Sequence, residues 1–166
     1  VIGAIGLIED RKNLIKSTLN PNDSIFILGS TLAEMGGGEF FESYHHIIGG
    51  KVPRVSLGKD LLHGNIILKL VSSGLTHCVH DCSNGGLAVS LAEMAFRGGT
   101  GLSVDMEKVP NRCSRLDYVL FSETHSRYLV ATREPTETIR ILTKMGCSIA
   151  EIGHATSMDS DIELKH

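Results

Sequence analysis

His80-Asp81-Cys82-Ser83-Asn84-Gly85-Gly86-Leu87 gathers a dense set of reactive and ligand-binding side chains into eight residues. Thr76 to Asp81 reads as a strand, and the amphipathic stretch Gly85 to Arg97 reads as a helix. Asp81 thus stands at the carboxyl end of a strand, ahead of a tight Ser83-Asn84-Gly85-Gly86 loop. Glycines permit close backbone approach and unusual dihedrals. The free N–H groups and positive dipole end of a helix favour an anion. An acidic residue beside that anion is well placed to hold a magnesium ion. One reading is therefore a phosphate site. The other is a plain helix start, capped by Ser83 or Asn84, with Asp81 bonded to the loop. The junction lacks the spacing of a Walker loop or dinucleotide fingerprint, so residue chemistry leaves both readings open.

Two further segments carry polar groups at sheet mouths. Gly36-Gly37-Gly38 leads into Glu39-Phe40 and is either a ligand loop or a plain loop. Ser122-Glu123-Thr124-His125-Ser126-Arg127 lies between Val119-Leu120-Phe121 and Tyr128-Leu129-Val130. It is either a substrate-contacting segment or a polar turn with Arg127 paired to Glu123 at the surface. Cys78-x-His80-x-Cys82 invites a zinc reading, because i, i+2 and i+4 share one face of a strand. A zinc site needs a fourth ligand and usually a turn between paired ligands, and neither is nearby. The four cysteines, at 78, 82, 113 and 147, are expected to be reduced core thiols. His45, His46 and His63 form no metal pattern and are expected at the surface.

These segments need elements to hold them. Residues 1–8 are apolar and rich in β-branched side chains, which predicts a strand. Asn20-Pro21-Asn22-Asp23 is turn chemistry, and Ser24 to Gly29 predicts a buried strand. Residues 42–58 read as a loop broken by Gly49-Gly50 and Pro53. Lys59 to Ser73 predicts a helix with Leu62, Ile66, Ile67, Leu70 and Val71 on its apolar face. In the helix after Gly85, Leu87, Leu91, Met94 and Ala95 share a face, and Gly98-Gly99 ends it. Gly101–Asp105, Ser126–Thr132, Ser148–Ile152 and Ile162–Leu164 predict strands, Pro135–Met145 a helix, and Leu116–Phe121 is ambiguous. Strand–helix–strand units recur at 76–105 and 126–152, so the fold class is α/β (α+β), one sheet backed by helices.

With 166 residues, the chain is the size of a single domain. Sixteen basic against 19 acidic residues give a net charge of −3, and the two signs are interspersed. That excludes the basic stripe expected of a nucleic-acid binder. No apolar tract approaches the roughly 18 residues of a membrane span. The N-terminus lacks the basic region of a signal peptide. Val1 stands where an initiator Met would be, so a fragment of a longer chain is expected.

Taken together, three segments resemble the phosphoribosylformylglycinamidine synthase family. The family's His-Asp-x-Ser-(Asp/Asn)-Gly-Gly-Leu motif, followed by an Ala-Glu-Met helix, is His80 to Leu87 and Ala92-Glu93-Met94 here. Its Ser-Glu-Ser-Gln-Ser-Arg segment is Ser122-Glu123-Thr124-His125-Ser126-Arg127. Its Leu-Gly-x-Thr-x4-Gly-Gly-Ser-Glu segment is Leu28-Gly29-Ser30-Thr31 through Gly36-Gly37-Gly38-Glu39. Val1 to Asp10 matches the entry into the family's last domain. Aminoimidazole ribonucleotide synthetase, selenophosphate synthetase, thiamine-monophosphate kinase and a hydrogenase maturation factor share the superfamily. Ser122-Glu123 with Ser126-Arg127 and His80-Asp81-x-Ser83 favours the purine amidation enzyme.

The resemblance implies that residues 1–166 form a single domain, the C-terminal domain of a longer synthase, with the aminoimidazole ribonucleotide synthetase C-terminal-domain fold. That enzyme is a cytoplasmic ligase that uses ATP and Mg2+ to amidate formylglycinamide ribonucleotide with glutamine-derived ammonia. Its partners are the remaining synthase domains, a glutaminase subunit and a small accessory subunit, with no nucleic acid or membrane. By pseudo-symmetry, Asp81 matches a magnesium ligand. Ser83, Asn84, Gly85, Gly86, Gly36, Gly37 and Gly38 match an auxiliary nucleotide or phosphate site, and Glu123, Thr124 and His125 match substrate contacts. No catalytic residue is implied. Thr124-His125 replaces the usual Ser-Gln and Asn84 a frequent Asp, which favours an inactive isolated domain. A purely structural or assembly role is the alternative.

Overall fold

The structure, a computed structural model, describes residues 3–166. One mixed sheet runs through the molecule. Its strands are β1 (Ser24–Leu28), β2 (Cys78–Asp81), β3 (Thr100–Asp105), β4 (Tyr128–Thr132), β5 (Ile149–Met158) and β6 (Ile162–Lys165). They lie in the order β2-β4-β1-β5-β3-β6. Every neighbouring pair is antiparallel except β3 with β6. Helices α1 (Leu57–Ser72), α2 (Gly86–Gly98), α3 (Leu116–Phe121) and α4 (Pro135–Lys144) cover the sheet.

β1 reads as a near-continuous apolar run because both its faces are covered. Ile25 and Ile27 join Leu129 and Ala131 of β4 beneath Leu87, Leu91 and Met94 of α2. Phe26 and Leu28 join Val130 beneath Ile66 and Leu70 of α1 and Leu142 of α4. The alternation sorts successive side chains into two cores, one on each face of the sheet. α2 buries the predicted Leu87, Leu91, Met94 and Ala95 and stops at Gly99, which sits at φ 63 and bonds back to Ala95 and Phe96.

The structure corrects several sequence expectations. Residues 3–8 form no strand, and Ile5 and Leu7 are fully solvent-facing; residues 1 and 2 lie outside the described residues. Apolar β-branched side chains make a strand only where a neighbouring edge accepts them. The 42–58 segment is less open than expected: a π-helical turn spans Phe40–Tyr44, and α1 begins at Leu57. α1 buries His63, Ile66 and Leu70 and leaves Leu62 partly exposed. The strand–helix–strand units expected at 76–105 and 126–152 are present as β2–α2–β3 and β4–α4–β5, and neither joins adjacent strands. β2 and β3 are separated by β4, β1 and β5, and β4 and β5 flank β1.

Candidate functional site

The three segments singled out in the sequence meet at one cavity of about 580 Å3. Gly36 and Gly37 line it from one loop, Asp81, Ser83 and Asn84 from the β2–α2 junction, and Glu123, His125 and Ser126 from the segment before β4. Asp60 of α1, Tyr128 of β4, Val52, Pro53, Cys82 and the buried Arg127 complete the wall.

Glu123 ties the loops together. Its Oε1 accepts from Gly85 N at 2.9 Å and from Glu39 N at 2.8 Å. Gly38 passes so close that a Cβ there would lie 3.2 Å from the Glu123 carboxyl carbon. Ser122 and Thr124 are buried and zip the segment to residues 32–34. Thr124 Oγ1 accepts from Leu32 N at 3.0 Å, and Ser122 Oγ donates to Glu34 O at 3.1 Å. The Thr124 hydroxyl is thus spent on the backbone, whereas His125 is exposed at the cavity wall.

The helix-cap alternative at the β2–α2 junction fails. α2 begins at Gly86 behind an N-cap glycine, Gly85, at φ 76, with no side-chain cap from Ser83 or Asn84. Gly86 follows at φ 66, where a Cβ would stand 2.6 Å from Ser122 O. The anion-site reading is also altered, because the Gly85 N–H is already taken by the Glu123 carboxylate. With Asp60, Asp81 and Glu123 set against one guanidinium, Arg127, on its wall, the cavity is acidic on balance. An unescorted phosphate would meet like charge there. Burial, then the charges of Asp60 and Asp81, push the Tyr128 phenol above its ordinary pKa.

Among the described residues, no three His, Cys, Asp or Glu groups cluster as a metal cage. Magnesium usually keeps several waters and takes one or two carboxylates plus phosphate oxygens. The Asp81 carboxylate is 65% exposed and shares the cavity with Asp60. These residues fit a magnesium ion carried in with phosphate. The Cys78–His80–Cys82 run holds no zinc-like set: His80 Nδ1 donates to Asp81 O at 2.7 Å, and Nε2 lies 2.7 Å from Glu93 Oε2. All four cysteines are free thiols, and Cys78 and Cys82 are buried.

Two residues were misplaced by sequence reasoning. Arg127 does not pair with Glu123 at the surface; it is 1% exposed. It donates to Thr124 O and Thr31 Oγ1, each at 2.9 Å, and to Ser122 O. Burial lowers its guanidinium pKa from the ordinary value. His63 is likewise buried, and its Nδ1 donates to Ser126 O at 2.7 Å. Both brace the loop between the cavity and β4. Asp60 was missed outright. An acidic residue in the first turn of α1 is ordinary dipole chemistry, and nothing local marks it as cavity-facing.

Residues 20–164 match the family described as AIR synthase related protein, C-terminal domain. The chain is 32% identical over 156 residues to phosphoribosylformylglycinamidine synthase subunit PurL of Caldivirga maquilingensis, covering 93% of this chain and 22% of that protein. The chain therefore spans about a fifth of that curated relative. Thermotoga maritima PurL complexed with FGAR superposes at TM-score 0.77 and 20% identity, over 89% of this chain and 26% of that one. The same protein complexed with ATP superposes at TM-score 0.72 and 20% identity, over 89% and 24%. At that identity the likeness is one of fold.

Proposed function

The chain belongs to the AIR synthase related protein family, as its C-terminal domain, and from that premise we propose that it serves as the last domain of a phosphoribosylformylglycinamidine synthase. The whole enzyme would be a cytoplasmic purine-biosynthetic ligase. It would amidate formylglycinamide ribonucleotide with glutamine-derived ammonia, using ATP and Mg2+. Its other domains, a glutaminase subunit and a small accessory subunit would be the partners. The observation that carries this reading is the convergence of the Gly36–Gly38, Asp81–Gly86 and Glu123–Ser126 segments on one acidic cavity.

Within that cavity the residues of this chain bind and brace. Asp81, helped by Asp60, would hold the magnesium ion, which neutralises phosphate charge when bound. The Ser83–Asn84 loop and the exposed His125 would contact the nucleotide or substrate. Glu123 sets the spacing of the two glycine loops, and Thr124 and Arg127 lock that spacing from behind. The catalytic base and most ATP contacts are expected on the enzyme's other domains, so the isolated domain should be inactive and its role auxiliary.

Titration calorimetry with ADP and Mg2+ on the full-length enzyme tests the reading. Asp81→Ala should weaken nucleotide binding or activity. No effect in either measurement would overturn the magnesium role. Turnover of formylglycinamide ribonucleotide with ATP and ammonia by the 166 residues alone would overturn the auxiliary role.

A further inference from the structure

A second, smaller cavity of about 210 Å3 shares His125 and Ser126 with the first. Its chemistry is opposite. Arg54, Lys59 and His63 line it together with Ser56, and no Asp or Glu does. The amino end of α1, a helix of 16 residues, opens onto it, and its N-cap Ser56 makes no side-chain cap. First-turn N–H groups are therefore left for an outside acceptor.

Two side chains of the wall, His63 and Ser126, point to a ligand independently of that helix end. His63 is 6% exposed. Its Nδ1 faces a carbonyl oxygen, which only accepts, so Nδ1 carries a proton, and in the neutral ring Nε2 is then an acceptor. Nε2 has no hydrogen-bond partner among the described residues. The Ser126 hydroxyl oxygen is buried and also lacks a partner. An unpaired buried polar atom such as Ser126 Oγ is costly and uncommon, and Ser126 and His63 both line this cavity.

We propose that this cavity is a binding site for a single tetrahedral oxyanion of the phosphate class. Arg54 and Lys59 supply opposite charge, the first turn of α1 supplies N–H donors, and Ser126 Oγ–H supplies another. The remaining P–OH of a monoprotonated phosphate donates to His63 Nε2. At about 210 Å3 the space lies below the roughly 300–1,000 Å3 of sites for drug-sized ligands. It is of a size to seat a phosphate group. The site does not depend on the ATP reading of the acidic cavity.

The test is titration of the chain with inorganic phosphate and, separately, with ribose 5-phosphate. Binding is followed by heat and by the amide NMR shifts of Lys59 and Ser126. Saturable binding that moves those amides is expected. Binding of inorganic phosphate alone identifies the free ion as the source, and tighter binding of ribose 5-phosphate identifies a phosphomonoester. His63→Gln should weaken binding about tenfold or more. The double variant Arg54→Gln/Lys59→Gln alters only exposed side chains, so it keeps the fold, and it should weaken binding to a similar degree. Failure of both probes to saturate, or unchanged binding in the double variant, would overturn the proposal. Equal affinity for sulfate, which carries no proton for Nε2, would overturn the phosphate class.

Discussion

Replacing Arg127 by Met removes a buried charge while nearly preserving side-chain length. The guanidinium is 1% exposed and serves Thr124 O, Thr31 Oγ1 and Ser122 O. The Thr31 hydroxyl can rotate to a new partner, but the two carbonyls cannot. Each buried, unpaired acceptor costs about 1–3 kcal/mol. Relief from desolvating the guanidinium offsets part of that. The net expectation is a loss of about 2–4 kcal/mol, or a fall in Tm of roughly 4–16 °C for a chain of this length. Urea unfolding should show a lower midpoint with an unchanged slope, since the surface exposed on unfolding is the same. Arg127→Lys, which reaches fewer acceptors, should recover part of the loss. A Met variant within about 0.5 kcal/mol of the parent would refute the claim that this residue fastens the loop from behind.

Glu123→Ala should uncouple the glycine loops. It strands the Gly85 and Glu39 N–H groups, the second of which water can satisfy. About 1.5–3 kcal/mol of stability should be lost with the Gly85 bond. Amide hydrogen exchange at Gly85 should quicken, and unchanged protection there would count against the bridging role. Burial holds the Cys78 thiol protonated, pushing its pKa from 9.0 up to about 12. The folded pKa is the higher one, so this stabilisation is complete below the ordinary thiol pKa and is lost as pH rises towards 12. Between those values stability should fall by up to about 1.4 kcal/mol per pH unit, and Cys78→Ala should flatten that alkaline slope.

Elements with strong periodicity were legible in the sequence. The Ser24–Leu28 run, the α2 face of Leu87, Leu91 and Met94, and Pro135 at the first turn of α4 each follow local rules. The convergence of the motif segments was legible only through resemblance, since Gly36, Asp81 and Glu123 are far apart in the chain. What escaped depended on distant partners. Arg127 and His63 look like surface residues until Thr31, Ser122 and Ser126 are seen to bond to them. Residues 3–8 have the composition of a strand but no neighbouring edge, so they run exposed. The failed helix cap has a similar cause: the group satisfying Gly85 N comes from Glu123, 38 residues away.

The strand order also bears on how the chain reaches this structure. β1 is made early, yet Ser24 pairs with Thr132 on one side and with His154 on the other. A chain emerging from the ribosome therefore carries its most apolar strand unpaired until β4 and β5 have been synthesised. Such non-local pairing slows folding, because the loop-closure entropy is spent before the contacts form. In that interval Ile25, Phe26, Ile27 and Leu28 form an exposed, uncharged β-prone segment. Release of the chain before β5 is complete should give an aggregating product rather than a smaller folded one.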